Sequence, residues 1–110
     1  MRDTDLSDAH DLLVLVAAIE CGVRAYRKMD KTQRQIMDLL YERGRTEAEL
    51  ADRLNITTER TKTALEFPND VGYTKEQDGV VCITVMGALL IDSLQQIMKY
   101  CEENGIQLPF

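Results

Sequence analysis

The sequence predicts a mostly α-helical domain carrying one small β-hairpin, and three observations lead there. The stretch 46–65, TEAELADRLNITTERTKTAL, reads as two short capped helices joined by a tight turn. β-Branched and aromatic residues gather around Asp78-Gly79, between Val71 and Ile83, the one convincing strand signal. Apolar residues dominate two long stretches, 7–29 and 85–104, without the strict alternation of a half-buried strand.

The first element is predicted over 7–29. Its centre, Leu12 to Ile19, is apolar on every side of a helix, and such a helix has to be covered all round. A chain of 110 residues can hardly supply that cover itself, so a second subunit is the simplest source. A buried β-strand is the competing reading of this apolar run.

A second helix follows, capped by Asp30 or Thr32 and running to about Arg43. Thr32 with Gln35 forms a possible capping box, and Ile36, Leu39 and Leu40 make the core stripe. Gly44 stands where a glycine C-cap is favoured.

Thr46 and Glu49 form a further capping box, after which Leu50, Ala51 and Leu54 share one face. Asn55 sits where the chain must turn, and Asn tolerates the left-handed conformation. Ile56 re-enters the core, Thr57 caps the next helix, and Ala64 and Leu65 continue its buried side. That helix is expected to stop before Pro68, because the residue ahead of a proline avoids the helical region. Two helices so joined make a helix-turn-helix, whose second helix is shaped to enter a DNA major groove.

Asp78-Gly79 is a two-residue hairpin turn. Thr84 then caps a last helix, which Asn104-Gly105 ends. On it Met86, Leu89, Leu90, Leu94, Ile97 and Cys101 lie together, widened by Ile91, Met98 and Tyr100 to an apolar arc of roughly 200° at ~100° per residue. So wide an arc has room for its own domain on one side and a second copy on the other.

Composition narrows the function classes. With 45% hydrophobic and 29% charged residues, the chain is expected to fold as one domain over 1–110. No apolar run approaches the ~20 residues of a membrane span, and the acidic start, MRDTDLSDAHD, has the wrong polarity for a signal peptide. A cytoplasmic protein is the expectation. Cys21, Cys82 and Cys101 are widely spaced without a CxxC pair, which fits buried thiols that pack as small hydrophobes. His10 is the single histidine and is expected near a helix start at the surface, so no metal and no cofactor are expected.

The net charge of −6 works against phosphate contacts, but its distribution softens the objection. Between Glu20 and Lys62 stand ten Lys/Arg against eight Asp/Glu, so the acidic excess lies at the two ends. Arg24, Arg27, Lys28, Lys31 and Arg34 cluster at the join of the first two helices, either as a solvated face or as a supporting phosphate patch. A Gly-rich phosphate loop, zinc-ligand spacing and a nucleophile elbow are all missing, and carboxylates fall at helix starts and on polar arcs. Catalysis is therefore not expected.

The order helix, helix-turn-helix, hairpin, long helix resembles the winged-helix transcription regulators of the MarR, ArsR and PadR type. The likeness spans 32–94 and rests on Glu49–Thr57 (ELADRLNIT), the hairpin Tyr73–Ile83 and the hydrophobic-Thr-x-x-Gly step Ile83-Thr84-Val85-Met86-Gly87. It implies a winged helix-turn-helix (32–84) flanked by dimerisation helices (7–29 and 85–104), and a homodimer that regulates transcription by binding double-stranded DNA.

By the same resemblance the recognition helix is 57–66, with Thr61 and Leu65 inward and Thr57, Thr58, Glu59, Arg60, Lys62 and Thr63 toward the groove. Arg60 and Lys62 suit guanine edges or phosphates; Thr58 and Thr63 suit phosphates or thymine methyls. Thr46 stands at a helix N-terminus able to accept a phosphate. Lys75 and Gln77 extend from the wing toward the adjacent minor groove or backbone. The sequence departs from the family at Phe67-Pro68-Asn69-Asp70, at Glu59 and Glu66, and at the acidic tip Lys75-Glu76-Gln77-Asp78. An interaction module that uses the same fold to bind protein is the alternative.

Overall fold

The computed structural model of the chain describes residue 20 and residues 22–107. Helix α1 occupies 22–28, followed by α2 (Lys31–Glu42), α3 (Glu47–Leu54), α4 (Thr58–Asp70), strands β1 (Thr74–Gln77) and β2 (Val80–Ile83), and α5 (Val85–Asn104). Most of the predicted first helix, with the Leu12–Ile19 run, His10 and Cys21, lies outside the described residues.

The α1–α2 corner is closed by polar groups. Asp30 is the N-cap of α2, accepting from the Gln33 N–H at 2.8 Å while the Asp30 N–H donates to Gln33 Oε1 at 2.9 Å. The box therefore joins Asp30 to Gln33, and the expected Thr32–Gln35 pairing is replaced by this frame two residues earlier. One residue on, Arg34 donates through Nε and Nη2 to the Tyr26 carbonyl at 3.2 and 3.0 Å and lays its guanidinium over the Tyr26 ring, 4.4 Å from the centroid. The Tyr26 carbonyl also accepts from the Met29 N–H at 3.1 Å, so Arg34 adds a tie from α2 to the closing turn of α1.

Helix α2 ends without a left-handed glycine. Its C-cap is Arg43 in extended conformation (φ −170°, ψ 164°), and Gly44 is absent from the positive-φ residues. The glycine is needed for proximity instead. A Cβ there would stand 3.0 Å from Val80 Cγ1 and 3.1 Å from Cys82 Sγ, because Arg45 adds itself to the sheet. Arg45 and Val81 exchange backbone bonds of 2.9 and 2.8 Å.

The helix-turn-helix follows the expected punctuation. Thr46 Oγ1 accepts from the Glu49 N–H at 3.1 Å, Asn55 is left-handed (φ 54°, ψ 47°), and the Ile56 N–H returns to the Ala51 carbonyl at 3.0 Å. Thr57 caps α4 by accepting from the Arg60 N–H at 3.1 Å. Helix α4 then runs through Pro68 to Asp70, three residues past the expected stop. Pro68 is fully buried and lies in the last turn; the N–H it lacks would have bonded to the Ala64 carbonyl. That carbonyl is satisfied by Gln33 Nε2 at 3.1 Å, so the helix continues.

The hairpin pairs Thr74 with Ile83 and Gln77 with Val80 across an Asp78-Gly79 turn in which both residues have positive φ (54° and 81°). A primed two-residue turn of this kind matches the twist of the flanking strands. At the base of the hairpin Thr84 Oγ1 donates to the Gly72 carbonyl at 2.7 Å and accepts from the Gly87 N–H at 3.1 Å, which starts α5. A Cβ on Gly87 would collide with the Tyr73 carbonyl oxygen and with Ile83 Cγ1. The Ile83-Thr84-x-x-Gly87 step is thereby explained: the threonine caps the helix, and the glycine lets it press against the hairpin.

Two buried clusters make the core. Ile36, Leu40, Leu50, Ala64, Leu65 and Val81 join the helix-turn-helix to the sheet. Met29, Met37, Tyr73, Leu90, Ile91 and Leu94 seat α5 on α2 and the corner, and Ile83 packs against both groups. The wide arc of α5 is split. Leu90, Ile91, Leu94 and Cys101 are buried, whereas Val85, Met86, Leu89 and Tyr100 are 79, 57, 58 and 61% exposed.

Candidate nucleic-acid interface

Helix α4 presents two opposite faces. Thr61, Ala64, Leu65 and Pro68 are buried, while Thr57, Thr58, Glu59, Arg60, Lys62, Thr63 and Glu66 are exposed. Thr61 spends its hydroxyl within the helix, donating to the Thr57 carbonyl at 3.0 Å, as a buried hydroxyl must. Of the sequence-predicted residues, Thr57, Thr58, Arg60, Lys62 and Thr63 lie on this one rod, and Thr46, Lys75 and Gln77 lie apart from it on α3 and β1.

The cations on that rod differ. Arg60 forms no ion pair among the described residues, and its guanidinium is open to solvent. Lys62 Nζ lies 4.0 Å from Glu47 Oε2 at the start of α3, a loose pair between an exposed lysine and a half-buried glutamate. Thr63 donates to the Glu59 carbonyl at 3.1 Å, leaving its oxygen free to accept.

Thr46 is half-buried, and its hydroxyl is engaged with Glu49 both as acceptor from the N–H and as donor to Oε1 at 3.3 Å. Glu49 is in turn held by Arg43 Nη2 at 3.1 Å. The Thr46 backbone N–H and the Arg43 guanidinium keep its carboxyl below the usual glutamate range. The first turn of α3 consequently carries two carboxylates, Glu47 and Glu49, at the place where Thr46 is expected to meet a phosphate.

Lys75 and Gln77 stand exposed on β1 on the same side of the strand, with Glu76 between them and Asp78 at the turn, all exposed. The acidic tip read from the sequence is exposed.

Of the basic cluster at the helix join, Arg24, Arg27, Lys28 and Lys31 are exposed, and Arg34 is taken by the end of α1. Beside Arg34, burial and then Asp38 push the Tyr26 hydroxyl above its ordinary pKa, with Arg34 pulling the other way. Asp38 itself is raised by burial and by Glu42. Tyr41 donates to Asp92 on α5, and that bond raises the Tyr41 hydroxyl.

Three residues escaped the sequence reading. Arg45 is 4% exposed, its Nε on the Leu39 carbonyl at 3.2 Å and its Nη2 on Glu42 at 2.9 Å, and nothing in its local pattern marks it as buried. Met37, fully buried, lay outside the expected stripe of α2. Gln33 was signalled by Pro68, since a buried proline in a helix requires a donor from elsewhere, but the sequence does not say which donor.

Comparisons with known proteins agree with this architecture. The chain matches the family described as Sigma-70, region 4 over residues 27–66, from α1 into α4. Comparison with curated proteins gave no match. Among solved structures the chain is similar to a mutant of Lactococcus lactis ZitR, at 21% identity and a TM-score of 0.56 over 71% of this chain and 61% of that one. It spans about three fifths of the length of ZitR. It is similar to MepR, a transcription regulator of the Staphylococcus aureus multidrug efflux pump MepA, at 15% identity and a TM-score of 0.62 over 94% and 82% of the two chains. A third similar structure is the homodimeric winged helix-turn-helix DNA-binding domain of Mycobacterium bovis Mb0332, a possible ArsR-family regulator. The identity there is 15% and the TM-score 0.56, over 100% of this chain and 97% of that one. With its capped helix pair, the hairpin behind it and the long helix that follows, this chain has the winged helix-turn-helix fold of such transcriptional regulators.

Proposed function

We propose that the chain is a sequence-specific, double-stranded-DNA-binding transcriptional regulator that acts as a homodimer without catalysis, with α4 in the major groove. The observation that carries this reading is the two-sided character of α4. Its inner face is buried in the core, and its outer face offers Thr57, Thr58, Arg60, Lys62 and Thr63 to solvent. Arg60 reads guanine edges or phosphates, Lys62 serves phosphates, and Thr58 and Thr63 approach phosphates or thymine methyls. Thr46, Lys75 and Gln77 are supporting backbone contacts. That Mb0332 is a homodimeric DNA-binding domain and MepR a transcription regulator supports the assignment.

Dimerisation is assigned to α5 together with the N-terminal residues. The exposed Val85, Met86, Leu89 and Tyr100 share one side of α5, which a second copy would cover. In a two-fold dimer the recognition helices enter successive major grooves, with half-sites ~10 base pairs apart. A cytoplasmic location follows from this role, and no helix among the described residues is long and apolar enough to cross a membrane.

The second reading, a protein-binding module, is favoured by the solvated acidic wing tip at Glu76 and Asp78. Binding to random duplex DNA across a salt series separates the two. For a DNA binder the logarithm of affinity falls linearly with the logarithm of salt, with a slope near −0.9 per phosphate contact. No binding at low salt would reject the DNA reading in favour of a protein partner.

A further inference from the structure

We infer that Gln33 is a positioning residue for DNA recognition, tying the α1–α2 corner to the middle of α4 and so fixing how α4 meets the groove. The inference rests on the DNA-binding reading above.

Pro68 creates the need for an outside donor. A proline in a helix leaves the carbonyl four residues earlier without its donor, and here that carbonyl belongs to Ala64, next to Thr63 on the recognition rod. Ala64 is 8% exposed and Pro68 is fully buried, so water is a poor substitute. An unpaired buried carbonyl is costly, and the donor has to come from a neighbouring element. Gln33 Nε2 supplies it at 3.1 Å.

The other end of the same amide is also committed, since Gln33 Oε1 accepts from the Asp30 N–H at 2.9 Å. A planar amide holding both partners fixes the Asp30 backbone and the Ala64 backbone relative to each other. Asp30 lies at the corner whose other side, the end of α1, is held by Arg34 on the Tyr26 carbonyl. The buried contacts of α4 through Ala64 and Leu65 are apolar, and apolar contact is non-directional. The Gln33 bond gives α4 a direction as well as a seat. A shift of the Asp30 corner is therefore felt at the Ala64 carbonyl through the Gln33 amide, beside the apolar packing of α2 on α4.

The test uses the full chain, its preferred duplex obtained by selection, and random duplex at one fixed salt concentration. Gln33→Glu keeps the acceptor for Asp30 but removes the donor to Ala64. Gln33→Leu removes both, and Pro68→Ala restores a backbone N–H to the Ala64 carbonyl. The ratio of preferred to random affinity is expected to fall about tenfold in Gln33→Glu and in Gln33→Leu, equivalent to about 1.4 kcal/mol. Random-duplex affinity should move far less. In the Pro68→Ala background the ratio for Gln33→Leu should return to within about threefold of the Pro68→Ala single variant, the signature of a shared partner. A merely structural glutamine would lower the melting temperature and leave the ratio alone. Unchanged ratios in both Gln33 variants, or an equal loss with and without Pro68→Ala, would overturn the inference while wild-type binding keeps the DNA reading. Wild-type protein that binds no duplex at all would overturn both.

Discussion

Gly87 shows how a single missing Cβ fixes the relation between hairpin and long helix, because the Tyr73 carbonyl oxygen occupies the space a side chain would need. The clash is with backbone, which cannot rotate away. Gly87→Ala is expected to destabilise the fold by about 1–3 kcal/mol, as overpacking does, and a denaturant midpoint measures it. The exposed cations should behave oppositely, with little effect on folding and a clear effect on binding. Arg60→Ala is expected to weaken a cognate duplex by about 1–3 kcal/mol and to relax preference at one base pair. Lys62→Ala should weaken all duplexes alike and flatten the salt slope by about one unit. Equal loss of preference in both variants would remove the distinction drawn between them.

At the scale of the elements, most of the architecture was legible because it is written in local chemistry. Thr46 with Glu49, Asn55, Thr57, Asp78-Gly79, Thr84 and Gly105 each act within a few residues of themselves, and each stands where that chemistry expects it. What was not legible depends on partners far along the chain. The end of α4 was expected before Pro68, but Gln33, 31 residues before Ala64 in sequence, carries the helix past it. Gly44 was expected as a helix cap, but it answers to β2, a strand not yet made when α2 is read. The candidate site divides the same way. The polar face of α4 follows from helical periodicity, whereas the engagement of Lys62 with the Glu47 carboxylate of α3 emerges only when α3 and α4 are packed. The pH response of α3 is a further expectation at this scale. Glu49 has a lowered pKa, so what it contributes is present above the ordinary glutamate range and is lost as pH falls through the lowered value. Fraying of α3, read by hydrogen exchange at Glu49 and Leu50 after correction for intrinsic pH dependence, should increase on acidification below about pH 4 and much less in Glu49→Gln.

For the whole molecule, the distribution of apolar surface decides assembly. Helix α5 buries Leu90, Ile91 and Leu94 within its own subunit and leaves Met86 and Leu89 more than half exposed. Replacing Leu89 by Glu should leave the monomer folded, because the side chain is already solvated, and should shift sedimentation from dimer toward monomer. An unchanged dimer would place the interface elsewhere. A net charge of −6 repels a polyanion at long range, so on the proposed reading DNA binding would have to be won at α4 rather than by a general basic surface. The most direct measurement is a selection of bound sequences from a random duplex pool. It should enrich a pseudo-palindrome with half-sites ~10 base pairs apart, whose enrichment vanishes in Arg60→Ala. Recovery of unselected sequence, or of a motif indifferent to Arg60, would contradict the placement of α4 in the groove.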